Sequence, residues 1–314
     1  MLAANTARGT LRATRAAPSP FRLPVRSCAT RSTLRQQALK PQWKLVGLAG
    51  TATLTLAAWE FKPEVWPSPE PLHADAPPFP GTYLDPTTKT PFPQTLTSPQ
   101  DGTRLRLVGT GVRTVSILSI RVYAVGFYAS ERELEQAKAG KLIGWEGYTP
   151  ERLIPPFSIP PGEPERPTGE LLIDNLLEKA DAAVVIVPLR NTSLLHLRDA
   201  FTRALVARMK IPRVVEQFTE QMNEATGAAL VEFKTFFPSR SLNKGSPLEL
   251  YYSAVDRSVL FQLKDPKTPE PELLGTLREP LLSKELMVSY FSDSAAPSSE
   301  LRKSVAMGFA GAER

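Results

Sequence analysis

The segment at residues 107–113 (LVGTGVR) limits the possible folds of this chain most strongly. Gly109 and Gly111 tolerate backbone geometries that other residues resist, so the pattern predicts a sharp bend between two strands where a ligand can come close. The segment at 116–128 that follows is mostly β-branched or aromatic, which is typical of a half-buried strand. Arg113 at the bend is either a surface residue beside a turn or a functional cation.

Basic residues are distributed unevenly along the 314 residues of the chain. Residues 1–44 contain nine Lys and Arg residues and no acid, and they are rich in Ser, Thr and Ala. Removing those nine from the 38 basic residues of the chain leaves 29 against 32 acids, so the remainder is slightly acidic. This composition predicts a mitochondrial presequence over residues 1–42. It gives no support to a nucleic-acid partner, because no basic excess remains outside the leader.

An uncharged segment of fifteen residues, 45–59, follows the leader directly. A membrane span usually needs roughly 20 apolar residues, and flanking aromatic residues extend this one to 43–61. The pattern predicts a single span in the mitochondrial inner membrane, with a buried helix or a long targeting segment as the alternatives. Positive residues stay on the matrix side, so the domain that follows is expected in the intermembrane space. The prolines of 62–81 predict an extended spacer.

Residues 82–311 are expected to form one domain that contains both strands and helices. The run 182–189 (AAVVIVPL) is uniformly apolar, which is typical of a strand buried on both faces. Strands paired by short turns, with helices in separate runs, favour an α+β domain with an antiparallel sheet. A hairpin is predicted at 248–253 and 258–264, and helices are predicted at 131–138, 171–179, 194–210, 214–233, 283–291 and 298–308.

The chain offers few residues for the commonest enzymatic chemistries. Its single cysteine, Cys28, lies in the leader, so the domain has neither a disulfide nor a thiol nucleophile. No nucleophile elbow, phosphate-binding loop, dinucleotide fingerprint or zinc-protease motif is present. Of two histidines, His73 lies in the spacer and His196 lies near the start of a predicted helix. His196 either bonds a backbone carbonyl or ligates the iron of a non-covalent haem.

Five sequence patterns, in this order, resemble the chalcone isomerase superfamily and in particular its fungal mitochondrial branch. They are G-x-G-x-R at 109–113, YAVGFY at 123–128, HLRDAFTR at 196–203, GSPLELY at 245–251 and LSKEL at 282–286. The resemblance implies an open-faced β-sandwich, in which helices cover one side of a large antiparallel sheet and leave a cleft between the two layers.

The resemblance also implies which residues line that cleft. In plant chalcone isomerases the arginine of the G-x-G-x-R turn stabilises an oxyanion, and Arg113 holds that position. The other family positions differ here: Tyr123 replaces a threonine, Phe201 a catalytic tyrosine and Arg208 an asparagine, while Ser289 lies near the position of a threonine.

The missing hydroxyl at Phe201 favours a binding role over flavanone formation. Non-catalytic members of the superfamily bind fatty acids, and the fungal mitochondrial branch resembles a haem-binding group. We therefore expect a membrane-anchored protein that binds an amphipathic carboxylate through Arg113, or haem with His196 as axial ligand and no other metal. The alternative is an isomerase or intramolecular lyase, with Arg113 as electrophile and Tyr123 as acid.

Overall fold

The computed structural model describes residues 81–115, 120–157, 166–217, 219–265, 268 and 270–311. The predicted presequence, membrane anchor and almost the whole spacer lie outside these residues, and those predictions stay predictions. None of the helices in the described ranges combines the length and the apolar character that a membrane crossing demands.

Seven of the described strands form one antiparallel sheet. Their spatial order is β11 (Glu272–Leu277), β10 (Ser258–Leu263), β9 (Leu248–Ser253), β6 (Ala182–Pro188), β5 (Ile120–Ser130), β4 (Arg104–Val115) and β3 (Thr95–Thr97). Two shorter pairs accompany it, β1 (Thr82–Leu84) with β2 (Pro91–Pro93) and β7 (Thr192–Ser193) with β8 (Ser241–Leu242). Every neighbouring pair in the large sheet is antiparallel, which confirms the predicted sheet type.

The helices of the described residues fall mainly between and after the strands. They are α1 (Glu131–Lys138), α2 (Glu170–Leu177), α3 (Leu194–Arg208), α4 (Pro212–Val215), α5 (Glu220–Thr235), α6 (Pro280–Val288) and α7 (Ser299–Phe309). Short 3₁₀ turns lie at Pro150–Arg152 and Ser289–Phe291. An antiparallel sheet with helices in separate runs confirms the predicted α+β class.

Local capping signals explain where the predicted helices agree with the structure and where they do not. The Ser193 hydroxyl accepts a hydrogen bond from the backbone N–H of His196 at 3.2 Å and caps α3, whose predicted start at residue 194 is confirmed. The single helix predicted over 214–233 is wrong, because α4 and α5 occupy this region. Thr219 accepts a hydrogen bond from the N–H of Met222 at 3.2 Å and begins α5 as a new helix. The strand β11 at the sheet edge was not predicted; two of its six residues are exposed and one is buried.

The two glycines of the G-x-G-x-R pattern lie inside β4, so the predicted bend between two strands at this point is wrong. A Cβ atom on Gly111 would come within 2.1 Å of the backbone nitrogen of Leu301 in α7. A Cβ atom on Gly109 would come within 2.5 Å of the backbone nitrogen of Val305 in the same helix. The glycines are therefore needed for the close approach of a helix to the sheet and not for a turn.

The central strand β6 separates two apolar layers. Its Val184 and Ile186 belong to the main core with residues of the helices, and we call this side of the sheet the helix face. Val185 and Val187 belong to a smaller cluster with Phe92 of β2, and we call this side the hairpin face. All seven residues of β6 are buried, which confirms the prediction of a strand buried on both faces.

Candidate functional site

Arg113 and Tyr123 lie directly opposite each other on the paired strands β4 and β5. The guanidinium carbon of Arg113 lies 5.9 Å from the centroid of the Tyr123 ring. Tyr123 is buried in the main core on the helix face, and Arg113 is half-buried. No carboxylate of the described residues lies within ion-pair distance of Arg113, so its charge is available to an anionic ligand.

A second phenol, Tyr290, extends this pair. It lies in the 3₁₀ turn after α6 and is only 2% exposed. Its hydroxyl has no hydrogen-bond partner among the described residues, and such a buried group calls for an explanation. Burial raises the pKa of Tyr290 well above its ordinary value; the proximity of Tyr123 adds to this rise, and the charge of Arg113 opposes it. We call these three residues the arginine–tyrosine cluster.

Both phenols of the arginine–tyrosine cluster are protonated near neutral pH. Burial raises the pKa of Tyr123 from an already high ordinary value, and the charge of Arg113 opposes the rise without cancelling it. The cluster therefore offers one cation and two hydroxyl donors, the set of groups that a carboxylate accepts. Arg113 and Tyr123 were predicted from the sequence as site residues, and Tyr290 was not. The one available signal was its place next to Ser289, which the resemblance had already singled out.

Phe201 and Ser289 are held by contacts of their own. The Phe201 ring packs among three other phenylalanines, with centroid distances of 5.9 Å to Phe237, 6.3 Å to Phe261 and 6.4 Å to Phe233. A hydroxyl at this position would enter an apolar environment, which accounts for the phenylalanine. The buried Ser289 hydroxyl donates to the carbonyl oxygen of Leu286 at 2.6 Å and helps to close α6. Ligand contacts by either residue stay predictions.

Arg208 is bound by two carboxylates in what we call the ion-pair cluster. Its Nη1 lies 2.6 Å from Oε2 of Glu170, and its Nε lies 2.7 Å from Oε2 of Glu285. Arg213 contacts the same two carboxylates at 3.0 and 3.1 Å. Burial tends to raise the pKa of Glu170, but the hydrogen bond and the charge of Arg208 outweigh it and lower the pKa. The cluster joins α2, α3, α4 and α6, so it has a structural role, and a ligand contact by Arg208 stays a prediction.

His196 is exposed on the first turn of α3. The neighbouring Leu194 and Leu197 are buried in the main core and are not exposed beside the ring. A haem iron is usually bound in an apolar pocket, and the described residues around His196 do not enclose one. The residues present therefore fit a haem poorly, and axial ligation by His196 stays a prediction.

An antiparallel sheet covered by helices, with a buried tyrosine and an arginine on the covered face, defines an open-faced β-sandwich of the chalcone isomerase type. Residues 103–306 match the protein family described as chalcone isomerase like. The match spans more than half of the chain, and this chain belongs to the chalcone isomerase-like family. The resemblance found in the sequence is thereby confirmed.

Relatives with similar sequences are found in fungi. Two proteins named "Altered inheritance of mitochondria protein 18, mitochondrial" are 26% identical over 235 residues in Debaryomyces hansenii and 28% identical over 222 residues in Eremothecium gossypii. These alignments cover 70% and 68% of this chain, and 72% and 70% of the relatives. An uncharacterised protein of Schizosaccharomyces pombe is 29% identical over 135 residues, which are 43% of this chain and 45% of that protein.

A plant structure shares the fold. The fatty-acid binding protein AtFAP1 of Arabidopsis thaliana superposes with a TM-score of 0.50 and 17% sequence identity. The superposition covers 74% of this chain and 100% of the plant chain. At this low identity the likeness shows a common fold alone.

Proposed function

We propose that this protein is a non-enzymatic binder of an amphipathic carboxylate and that a fatty acid is the class of ligand. The arginine–tyrosine cluster carries the proposal. In it, the half-buried Arg113 has no described ion-pair partner and lies close enough to the buried Tyr290 to oppose the rise of its pKa, and the Tyr290 hydroxyl has no described hydrogen-bond partner. A carboxylate would satisfy both groups, through a charge-assisted bond to Arg113 and a hydroxyl donated by Tyr290. The shared fold of a protein named as a fatty-acid binder supports this ligand class.

Titration of the full chain with laurate by calorimetry tests the proposal. Arg113→Ala should weaken laurate binding about 10- to 100-fold, because a hydrogen bond to a charged group is worth about 1.5–3 kcal/mol. Arg104→Ala is the matched control: this arginine lies on the same strand, is largely exposed and is 3.6 Å from Glu131. The control should stay within about twofold of the wild type. Equal laurate affinities in the two variants would contradict the proposal.

Isomerase chemistry is the second candidate, favoured by the position of the protonated Tyr123 beside Arg113. In this reading Arg113 polarises an oxyanion and Tyr123 donates a proton. The phenylalanine packing around Phe201, where the family's catalytic tyrosine is expected, speaks against it. Turnover of a chalcone by the wild type that disappears in Arg113→Ala would replace the binding proposal with this one.

Haem is a further candidate ligand for the same protein. An absorbance spectrum of the full chain after expression with a haem supply tests it directly. A Soret band that is lost in His196→Ala would establish axial ligation. We expect no such loss, because His196 is exposed and its apolar neighbours point into the core.

We further propose that the protein is mitochondrial and anchored in the inner membrane by residues 43–61, with its domain in the intermembrane space. The acid-free basic leader and the uncharged segment behind it support this, as do the mitochondrial names of two relatives. Carbonate extraction of isolated mitochondria tests the membrane anchor, and protease protection tests the orientation of the domain. Release of the protein by carbonate would contradict the anchor, and protection of the domain after rupture of the outer membrane would contradict its orientation.

A further inference from the structure

A cleft of about 1130 Å³ lies on the hairpin face of the sheet. Val185 and Val187 of β6 form its floor, and the loop between β1 and β2 contributes one wall. Tyr123 belongs to the core on the helix face, so the sheet itself separates this cleft from the arginine–tyrosine cluster. The cleft is larger than the roughly 300–1,000 Å³ of common small-molecule pockets, and it accommodates a ligand with both a headgroup and an apolar part.

Cations dominate the lining of this cleft. Five exposed basic residues line it, Lys89, Arg121, Arg190, Lys244 and Lys264. None of the five forms an ion pair with a carboxylate in the part of the chain that the structure describes. Acids outnumber basic residues outside the leader, so this concentration of positive charge does not follow from composition. It arises from the way the chain folds.

The carboxylate that lines the cleft does not neutralise these cations. Glu249 is buried, with 5% of its surface exposed. Its Oε2 accepts hydrogen bonds from the Tyr251 hydroxyl at 3.0 Å and from Nε2 of Gln262 at 2.7 Å. Glu249 thus bonds neutral donors and forms no ion pair with the five cations among the described residues, so those cations remain available to a ligand.

Hydrogen bonds that involve the backbone help to place two of these cationic residues. The backbone N–H of Lys244 donates to Oδ1 of Asn191 at 2.9 Å and holds Lys244 near Arg190. Nη1 of Arg121 donates to the carbonyl oxygen of Thr87 at 3.3 Å. Strand ends and loops that are distant in sequence thus converge on one cleft.

The geometry points to an anionic phospholipid as the ligand of this cleft, with its phosphate among the cations and its apolar part on the valine floor. Arginine binds phosphate through two parallel hydrogen bonds and lysine binds it as a point charge. Several Lys and Arg residues grouped together are also a feature of proteins that bind anionic lipid headgroups. The described residues that line the cleft include no aromatic ring on which a nucleobase could stack, which disfavours a single-stranded nucleic acid.

Calorimetric titration of the full chain with dihexanoyl phosphatidate, used below its micelle concentration, tests this assignment. Phosphatidate should bind at least about tenfold more tightly than dihexanoyl phosphatidylcholine, which lacks the net charge, and than glycerol 3-phosphate, which lacks the acyl chains. The double variant Arg190→Glu/Lys244→Glu should lose at least about tenfold in phosphatidate affinity. If that variant does not fold, the double variant Lys89→Glu/Lys264→Glu replaces it and should show the same loss of phosphatidate affinity.

The double variant Lys234→Glu/Lys303→Glu is the matched control. It changes the net charge by the same amount on α5 and α7 and leaves the basic leader unchanged, so its affinity should stay within about twofold. Equal losses in both double variants would overturn the assignment, as would equal affinity for glycerol 3-phosphate or for a single-stranded oligonucleotide. Arg113→Ala should retain phosphatidate binding even where laurate binding is lost. If Arg113→Ala lost both phosphatidate and laurate binding, phosphatidate would bind at the arginine–tyrosine cluster, and the assignment to the cleft would be overturned.

Discussion

Gly111 of β4 lies directly against the backbone of Leu301 in α7. A Cβ atom at this position would be 2.1 Å from the Leu301 nitrogen and 2.6 Å from its Cα atom. These neighbours are backbone atoms of a helix, so they cannot move aside as the end of a flexible side chain can. Arg113 lies two residues farther along the same strand. The contact therefore helps to set the position of the strand that carries the cation of the arginine–tyrosine cluster.

Gly111→Ala should lower the free energy of unfolding by about 3 kcal/mol, because α7 must shift away from the sheet. Gly227→Ala is the control, since no described atom outside its own turns of α5 lies within 4 Å of the added Cβ. It should raise the free energy of unfolding by about 0.5–1 kcal/mol, through the better helix propensity of alanine. Urea denaturation measures both. A Gly111→Ala protein as stable as the wild type would show that α7 does not pack as described.

Tyr290→Phe should separate stability from ligand binding. Without ligand, removal of an unpartnered buried hydroxyl should not lower the free energy of unfolding, because such a group costs about 1–3 kcal/mol when buried. Laurate affinity should fall about 2- to 10-fold, the equivalent of one ordinary hydrogen bond. Tyr252→Phe should lower the free energy of unfolding and leave laurate affinity unchanged, because the Tyr252 hydroxyl donates to the Leu177 carbonyl at 3.2 Å. Identical behaviour of the two variants would argue against a ligand at Tyr290.

Arg208→Met should destabilise the protein by about 3–5 kcal/mol, because it removes the buried cation between Glu170 and Glu285 and leaves them only the partly exposed Arg213. Arg240→Met removes an arginine from a largely exposed ion pair with Glu272 and should change the free energy of unfolding by less than about 1 kcal/mol. Thermal or urea unfolding of both variants gives the comparison. Similar small losses of unfolding free energy in the two variants would show that Arg213 alone is enough to stabilise the ion-pair cluster.

The ion-pair cluster should also make stability depend on acid pH. The pKa of Glu170 is lowered in the folded protein from its ordinary value of 4.5, so its contribution is complete above that value. The contribution is lost as the pH falls through the folded pKa. Urea unfolding between about pH 5 and about pH 3 should show falling stability, with a shallower slope in Glu170→Gln. The exposed Glu216→Gln should keep the wild-type slope, and an unchanged slope in Glu170→Gln would contradict this assignment.

The sequence alone was enough for the features that depend on neighbouring residues. The uniformly apolar run of β6 predicted a strand buried on both faces, and the helix predicted from residue 194 begins where α3 does. The hairpin of β9 and β10 and the α+β class followed from the same local patterns. The G-x-G-x-R pattern also led to the family and to Arg113 with Tyr123. Each of these signals works over a few residues, where apolar periodicity and side-chain capping act.

Only the tertiary structure decided the features that need distant residues to meet. The glycine pair of β4 is explained by the backbone of α7, and the third member of the arginine–tyrosine cluster, Tyr290, comes from the 3₁₀ turn that follows α6. The basic cleft collects its cations from five separate places in a chain that is otherwise slightly acidic. The physical reason is that strand pairing and helix packing bring these residues together, and no local pattern of charge or hydrophobicity records which distant segments will meet.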